Sequence, residues 1–249
     1  MRGDGIMQEE IKDKQVKSFG GKLKAVTFSY DDGVTQDRRL VRIFNKYGLK
    51  CTFNINSAKL GEPWSIYQQG ANLAHVKLHP DEVRGVYEGH EIAVHTLHHP
   101  SLSSLSDEEI IKEVEEDRIR LSELAGYEVV GMAYPGGTPC MNEHVADVIR
   151  NNTGVKYSRT TTATYNFELP KDLLVLDPTI HHHADINGLF KLGQEFIDLK
   201  PDRPQLFYIW GHAYEFDVSE DEWERFEEFC RMISGKDEIF YGTNKEVLL

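Results

Sequence analysis

The chain has 249 residues and a mass of 28.6 kDa, enough for one domain with a sizeable core and within the range of α/β barrels. Its formal net charge of -13 argues against nucleic acid and anionic membrane surfaces as partners, because a strongly negative surface repels them. No stretch approaches about 18 consecutive apolar residues, so we expect no membrane insertion.

The N-terminal segment, residues 1–21, is polar and has no apolar signal core. We interpret it as a tail or extension and assign 22–249 to one folded domain. The cysteines Cys51, Cys140 and Cys230 are far apart and lack a C-x-x-C spacing, which indicates free thiols in a reducing compartment. We therefore expect a cytoplasmic protein, or an exported one if a signal segment has been removed.

Short, nearly continuous apolar runs recur along the chain and are typical of strands buried on both faces of a parallel sheet. The predicted strands are Lys24–Tyr30, Lys50–Asn56, Glu91–Thr96, Val129–Tyr134, Lys156–Thr161, Leu173–Thr179, Gln205–His212 and, more weakly, Glu238–Gly242.

Helical patterns separate these runs. Thr35 is a predicted cap of a helix closed by Gly48, Ser106 with Glu109 forms a capping box before a helix ending near Gly126, and Ser219 with Glu222 repeats that pattern. Gly61–Leu78 is irregular and is expected to form a surface loop, followed by a short helix after Pro80. Alternating strands and helices without a linker predict one α/β domain.

Polar residues stand where the predicted strands end. Asp31, Asp32, His95, Tyr134 and His212 each fall at or just beyond the C-terminal end of a strand. In a parallel barrel these ends gather on one face, where the active site is built. We therefore expect these distant residues to converge.

The strand-end residues have the pattern of a catalytic metal site. Adjacent carboxylates such as Asp31 and Asp32 repel each other, and a divalent cation would compensate them. His95 and His99 are four residues apart, and Pro100 favours a turn at His99. One aspartate with two imidazoles leaves a fourth ligand position open, as in catalytic rather than structural sites. A hydrolase is the leading interpretation.

The sequence also resembles the polysaccharide deacetylase family, the NodB-homology carbohydrate esterases. The resemblance lies in 25–33 (AVTFSYDDG), 89–102 (GHEIAVHTLHHPSL), 132–137 (MAYPGG) and 207–216 (FYIWGHAYEF), whose order and spacing match over nearly the whole chain. It implies a single-domain distorted (β/α) barrel of about seven parallel strands, with 22–249 as the catalytic domain. It also implies a hydrolase that removes N- or O-acetyl groups from sugars with Zn²⁺ or a similar ion.

The resemblance assigns roles residue by residue. Asp32, His95 and His99 would bind the metal, and Asp31 would be the base that takes a proton from metal-activated water. His212 would be the general acid, because an amine leaves poorly unless it is protonated.

Residues of the third motif would bind the acetyl carbonyl oxygen and contact the substrate. The backbone N–H of Tyr134 is the predicted oxyanion donor. Tyr134, Pro135 and Gly136 are the predicted substrate contacts of this motif, and Gly136 and Gly137 would let the loop approach the ligand closely. Of the aromatic residues that could stack on a sugar ring, Trp210 and Tyr214 are favoured because they flank His212.

One position departs from the family pattern. Many members have an arginine two residues before the motif-three proline, where it steadies the base, but this chain has Ala133. Arg159, on the next predicted strand, is a candidate replacement, although it fits a surface arginine equally well. Asp177 and Glu215 are both candidates for orienting His212.

The run His181-His182-His183 invites a second metal site. Consecutive residues of a strand alternate between its faces, so three neighbours cannot all bind one ion comfortably. We interpret the run as a strand-end or loop feature.

Three functions remain open. They are a metal-dependent deacetylase of an acetylated saccharide, a related amide, imide or ester hydrolase, and a non-catalytic carbohydrate-binding relative. The expected cofactor is one divalent ion, Zn first, with Co, Ni, Mn or Fe as alternatives. The substrate and the oligomeric state are not readable from the sequence.

Overall fold

The computed structural model describes residues 19–68, 70–183 and 186–249. Most of the predicted tail, 1–21, lies outside the described residues, and its boundary stays a prediction. Over the described residues the chain forms a curled sheet with helices packed against it. The strands are β1 Lys24–Asp31, β2 Cys51–Ile55, β3 Ser65–Gln68, β4 Ala71–Ala74, β5 Glu91–Val94, β6 Gly131–Ala133, β7 Tyr157–Arg159, β8 Ile180–His181, β9 Gln205–His212 and β10 Ile239–Tyr241.

The main sheet has the strand order β7-β6-β5-β2-β1-β9-β8, with β10 also paired to β1. All of its pairings are parallel. Strand β1 pairs with β9 along its whole length, while β10 and β2 share its other edge. This curled parallel sheet confirms the predicted distorted (β/α) barrel, and its register places Asp31 beside both His212 and Asn54.

Eight α-helices cover the described part of the chain. They are α1 Asp37–Tyr47, α2 Val83–Val86, α3 Asp107–Ile111, α4 Asp117–Ala125, α5 Glu143–Asn152, α6 Ile186–Asp198, α7 Glu220–Ile233 and α8 Asn244–Leu248. Short 3₁₀ segments lie at Ser57–Lys59, Pro80–Glu82, Leu102–Ser104, Thr138–Cys140 and Ala213–Val218, and a π-helical segment, Lys112–Glu116, joins α3 to α4.

Some of the predicted helix ends are confirmed. The capping box of Ser106 and Glu109 forms in both directions at the start of α3, and Gly48 ends α1 in a left-handed conformation with φ of 65°. The short helix predicted after Pro80 is also confirmed, as a 3₁₀ turn running into α2.

One predicted cap is wrong, and another lies at its predicted position without forming the predicted capping box. The residue before α1 is Gln36, already helical, because the Thr35 N–H is bonded to Val76 O at 2.8 Å and fixes the chain direction there. Ser219 precedes α7 without a side-chain cap, and the Glu222 carboxylate instead lies 3.8 Å from His183 Nδ1.

Strand alternation gives the barrel an apolar outer layer and a polar interior. Phe28 and Tyr30 of β1 pack into the large apolar core beneath the helices. Ser29, between them in sequence, accepts hydrogen bonds from Asn54 Nδ2 at 2.9 Å and from Arg159 Nε at 3.2 Å. These interior polar groups are therefore bonded to one another, which offsets the cost of burying them.

The predicted strand Leu173–Thr179 is wrong as a regular strand. It makes a single bridge, Leu176 with Arg159, and the strand that pairs with β9 begins only after it, as β8. The Asp172 side chain caps a turn at the start of this segment, and Pro178 has no N–H to donate. The segment nevertheless spans the seam between β7 and β8.

The predicted loop Gly61–Leu78 is instead a hairpin, β3–β4, with weak apolar alternation because both strands are largely exposed. Its pairing extends to the His75 N–H, which donates to Trp64 O at 2.8 Å, and the Leu78 N–H donates to Gly33 O at 2.9 Å. The hairpin is thereby attached to the turn that follows β1.

The cysteines agree with the prediction, since all three are unpaired. Cys51 and Cys230 are buried, and Cys140 is half-buried. Within the described ranges no helix combines the length and the apolar character needed to cross a bilayer.

Candidate active site and metal centre

The C-terminal ends of the strands surround a cleft of about 670 Å³. Asp31 ends β1 directly beside His212 at the end of β9. Asp32, His95 and His99 line the same cleft. The structure thus brings together five residues that the sequence placed at separate strand ends.

Asp32, His95 and His99 offer three ligand atoms that lie within 4.8 Å of one another. His95 Nδ1 is 2.8 Å from Ala133 O, so this nitrogen carries the hydrogen and Nε2 keeps its lone pair for a ligand. Burial lowers the pKa of His95 to about 4 and lowers that of His99, which keeps both imidazoles neutral. The donor set fits a zinc-type divalent ion.

The backbone at and beside these three candidate ligands is strained. Asp32, Thr96 and His99 have φ values of 84°, 64° and 62°, and such conformations cost on the order of 1–3 kcal/mol each and cluster at functional sites. Gly33 follows with φ of 63°, and a Cβ there would lie 2.9 Å from the Ile55 side chain. The Asp-Asp-Gly turn therefore requires glycine for conformation and for space.

The loop after β5, which carries His95 and His99, is fixed by the π-helical segment and α4. The Leu97 N–H donates to Glu113 O at 3.0 Å, and the His98 N–H donates to the Glu113 carboxylate at 3.0 Å. Glu113 belongs to the π-helical segment, a rare insertion often found at functional sites. The Asp117 carboxylate accepts the His95 N–H at 3.2 Å. No pattern in the sequence indicates that these acidic residues position the loop.

The sequence analysis also missed two residues that hold Asp32. Lys77 Nζ lies 2.6 Å from its carbonyl oxygen and 3.2 Å from Oδ1, and His75 Nε2 lies 3.0 Å from Oδ2. Burial opposes ionisation of Asp32, but Lys77 and His75 outweigh it and hold its pKa well below the usual value. The only sequence signal is the spacing of His75 and Lys77, two residues apart and so on one face of an extended segment.

Arg159 reaches Asp31 across the barrel interior. Its Nη2 lies 2.6 and 2.5 Å from the two carboxylate oxygens, and Asn54 Nδ2 donates to Oδ1 at 2.8 Å. Burial would raise the pKa of Asp31, but Arg159 overcomes this effect and lowers it. The guanidinium also lies over the Trp210 ring, 4.3 Å from its centroid. Arg159 is therefore a buried residue rather than a surface one.

His212 is held by Glu215 and not by Asp177. The Glu215 carboxylate lies 3.4 Å from His212 Nδ1 and accepts the His212 N–H at 3.1 Å, whereas Asp177 accepts from the Thr160 hydroxyl. Burial alone would lower the pKa of His212, but Glu215 raises it to about 9. His212 Nε2 is 3.9 Å from Asp31 Oδ2.

The oxyanion donor predicted at Tyr134 is wrong. Its N–H donates to Arg159 O at 2.9 Å and continues the β6–β7 pairing. After Pro135, which has no N–H, the Gly136 N–H has no acceptor among the described residues and belongs to a cleft-lining residue. Gly136 has φ of 63°, and a Cβ there would lie 2.7 Å from Cys140 Sγ.

The two favoured aromatic residues line the cleft. Tyr214 packs beside His212, with ring centroids 5.1 Å apart. One face of Trp210 is covered by the Arg159 guanidinium, so Trp210 is less suited to stacking on a sugar than the sequence indicated. Trp64, which also lines the cleft, is 70% exposed on the hairpin side.

Comparison with known proteins agrees with the sequence resemblance. The profile of the family described as polysaccharide deacetylase matches residues 20–158, more than half of the chain. A comparison with curated protein sequences finds no match.

Three solved structures illustrate the likeness of fold. A Mycobacterium smegmatis protein provisionally described as a polysaccharide deacetylase is 16% identical, with a TM-score of 0.65 over 91% of this chain and 89% of that one. A Streptomyces lividans family 4 carbohydrate esterase in complex with acetate is 12% identical, with a TM-score of 0.53 over 89% and 92%. BA3943 of Bacillus anthracis, described as a pseudoenzyme of the same family, is 13% identical, with a TM-score of 0.54 over 91% and 66%.

Proposed function

The chain belongs to the polysaccharide deacetylase family, and on that premise we propose that it removes acetyl groups from an N-acetylated sugar, oligosaccharide or polysaccharide, with O-acetyl groups as a second class of target. The observation that carries this proposal is the arrangement of Asp32, His95 and His99 beside Asp31 and His212 in one cleft. A divalent ion held by the three ligands, zinc in the first place, would polarise the acetyl carbonyl and lower the pKa of the attacking water.

Asp31 is the proposed base. Its carboxylate is ionised and oriented by Arg159 and Asn54, and an ionised carboxylate has about four lone-pair sites in all. The bonds to Arg159 and Asn54 leave an acceptor direction on Oδ2, the oxygen nearer His212. The lowered pKa makes Asp31 a weak base, which suffices when the water it deprotonates is already acidified.

His212 is the proposed acid. Glu215 keeps its imidazole protonated at neutral pH, and its Nε2 lies on the Asp31 side of the cleft. It can therefore give its proton to the leaving nitrogen as the carbon–nitrogen bond breaks. An ester leaving group depends less on such an acid.

The Gly136 N–H is the proposed donor to the developing oxyanion, in place of Tyr134. It is the N–H of the loop that lacks an acceptor among the described residues, and removal of one oxyanion-hole donor costs roughly 10²–10³-fold in rate in another hydrolase. The flanking loop needs glycine because of the positive φ and the nearby Cys140.

An acetate-release assay tests the proposal. Chelator-stripped protein is supplied with Zn, Co, Ni, Mn or Fe and offered N-acetylglucosamine oligomers, peptidoglycan fragments, acetylated xylan and small N-acetyl sugars. We expect metal-dependent acetate release that Asp32→Asn abolishes. Absence of both bound metal and acetate release would favour the non-catalytic carbohydrate-binding alternative.

The His212→Gln variant distinguishes hydrolysis of an amide bond from hydrolysis of an ester bond. If the natural substrate is an amide, this variant loses most of its activity, because the amine departs unprotonated. A mild loss would indicate that the enzyme acts on O-acetyl esters. Activity on non-sugar amides or imides, with none on the saccharides, would identify the remaining alternative.

A further inference from the structure

His181 and His182 form a second group of imidazoles at Glu215, and none of these three residues lines the cleft that contains Asp32, His95 and His99. β8 ends at His181, so strict alternation of side chains no longer applies to His182. The two rings stack, with centroids 5.0 Å apart and an interplanar angle of 18°. Both Nε2 atoms approach the same carboxylate oxygen of Glu215, at 3.1 Å and 3.6 Å.

His182 lacks hydrogen-bond partners. Its side chain is fully buried, and neither ring nitrogen has a partner among the described residues. The ring packs against Tyr30 and Phe216, with centroids 5.3 and 4.2 Å away, and Nδ1 faces Gly211, where a Cβ would lie 1.8 Å away. Leaving a buried polar atom without a partner costs about 1–3 kcal/mol. The unpartnered Nε2 is directed at Glu215.

The spacing of these atoms suits a metal ion. The ligand atoms of His181, His182 and Glu215 all lie within 4.8 Å of one another. Bonds of about 2.0–2.2 Å in a tetrahedral arrangement place two ligand atoms roughly 3.3–3.5 Å apart. The observed 3.1 and 3.6 Å lie on either side of that value. His181 Nδ1 accepts the His183 N–H at 3.3 Å, so its Nε2 carries the hydrogen in the metal-free protein and would give it up when an ion binds.

We propose that His181, His182 and Glu215 form a second divalent-metal site, separate from the one at Asp32. Two imidazoles with one carboxylate favour Zn, Co or Ni over Mg or Ca. The His181 side chain is 18% exposed and gives an ion access to the site. His183 is excluded from the set because its Nδ1 faces Glu222 at 3.8 Å, which agrees with the expectation that three consecutive histidines do not all bind one ion.

Metal titration of the full chain tests this site without any assay of turnover. Chelator-stripped protein is titrated with Co²⁺ and followed by visible absorption, and Zn²⁺ stoichiometry is measured by competition with a chromophoric chelator. We expect two ions per wild-type chain, one for Asp32→Asn, one for His181→Asn and none for the double variant. His183→Asn, in the same run, is the matched control and should keep both.

Folding is checked separately, because His182 is buried whereas His181 is partly exposed. Circular dichroism and the melting temperature of each metal-free variant establish that it is folded, and His182→Gln serves as a second variant of the site. A wild-type stoichiometry of one overturns the proposal, as does a folded His181→Asn protein that still binds two ions. An Asp32→Asn protein that binds none overturns it as well. These outcomes are independent of whether the protein releases acetate.

Discussion

Arg159, at the end of β7, binds both carboxylate oxygens of Asp31, at the end of β1, through a single nitrogen. The two strands are separated in the sheet by β6, β5 and β2, so the guanidinium crosses the barrel interior to reach the carboxylate. Ser29 and the Trp210 ring hold it along the way. The cation that steadies the proposed base therefore comes from a strand other than the one that carries the third motif.

Arg159→Lys should lower turnover while zinc binding stays unchanged. Lysine keeps the charge but loses the planar guanidinium, which bonds Ser29 and the carboxylate at once and packs on the ring. We expect a loss on the order of 10–100-fold in kcat, a part of the ~10²–10⁴-fold that a general base supplies. Arg203→Lys, in an exposed pair with Glu168, is the control. Wild-type turnover in Arg159→Lys would dismiss the supporting role.

Substitutions of the two adjacent aspartates, Asp31 and Asp32, should differ in their effects on metal binding and on turnover. Asp31→Asn should keep one ion in the Asp32 site and lose roughly 10²–10⁴-fold in kcat, because it removes the base but no ligand. Asp32→Asn should lose that ion and the activity together. Metal analysis and steady-state kinetics on both variants check this. Loss of the ion in Asp31→Asn would contradict the division of roles.

Glu215→Gln should move the alkaline limb of the pH–rate profile to lower pH. His212 has a native pKa of about 9 against an ordinary value of 6.5, and Glu215 is the main group that raises it. The corresponding stability is fully present below about pH 6.5 and is lost as the pH rises through about 9. NMR titration of His212 in the zinc-free protein measures the shift directly.

The matched control for this change is Glu222→Gln, which removes a carboxylate next to His183 but not one next to His212. Its alkaline limb should coincide with that of the wild type. An unchanged limb in Glu215→Gln would mean that another group limits the rate at high pH.

Lys77→Met should tighten zinc binding and weaken the metal-free fold. The Lys77 ammonium compensates Asp32, so it opposes a second cation on the same carboxylate. We expect about tenfold tighter binding, equivalent to about 1.4 kcal/mol, and a lower melting temperature of the metal-free protein because a buried carboxylate loses its partner. Chelator competition and thermal unfolding measure the two effects.

Lys59→Met is the control, because Lys59 lines the same cleft and pairs with Glu62 at 3.7 Å rather than with Asp32. It should leave both quantities unchanged. Weaker zinc binding in Lys77→Met would show instead that Lys77 orients the ligand carboxylate.

Excess zinc should inhibit acetate release if the second site fills. Glu215 contacts both His212 and the proposed second ligand set. A cation bound at the second site would therefore neutralise the carboxylate that keeps His212 protonated. We expect activity to rise and then fall with added Zn²⁺, and the falling phase to disappear in His181→Asn. Persistence of the falling phase in that variant would assign the inhibition elsewhere.

The sequence by itself determined which residues end the strands. Short apolar runs and the capping box at Ser106 depend on contacts within a few residues, so a parallel α/β sheet and the convergence of Asp31, Asp32, His95 and His99 could be predicted, while its distorted barrel form was implied by the family resemblance. Strand ends in a parallel barrel must meet on one face, which makes this part of the site a consequence of local pattern.

Only the tertiary structure decided which groups hold those residues. The contacts of Arg159 with Asp31, of Lys77 with Asp32 and of Glu215 with His181 and His182 depend on register and on the path of the chain between distant segments. None of these produces a periodic signal in the chain. The hydrogen bond that occupies the Tyr134 N–H is likewise a product of strand pairing, since a backbone donor is committed only when its neighbouring strand is in place.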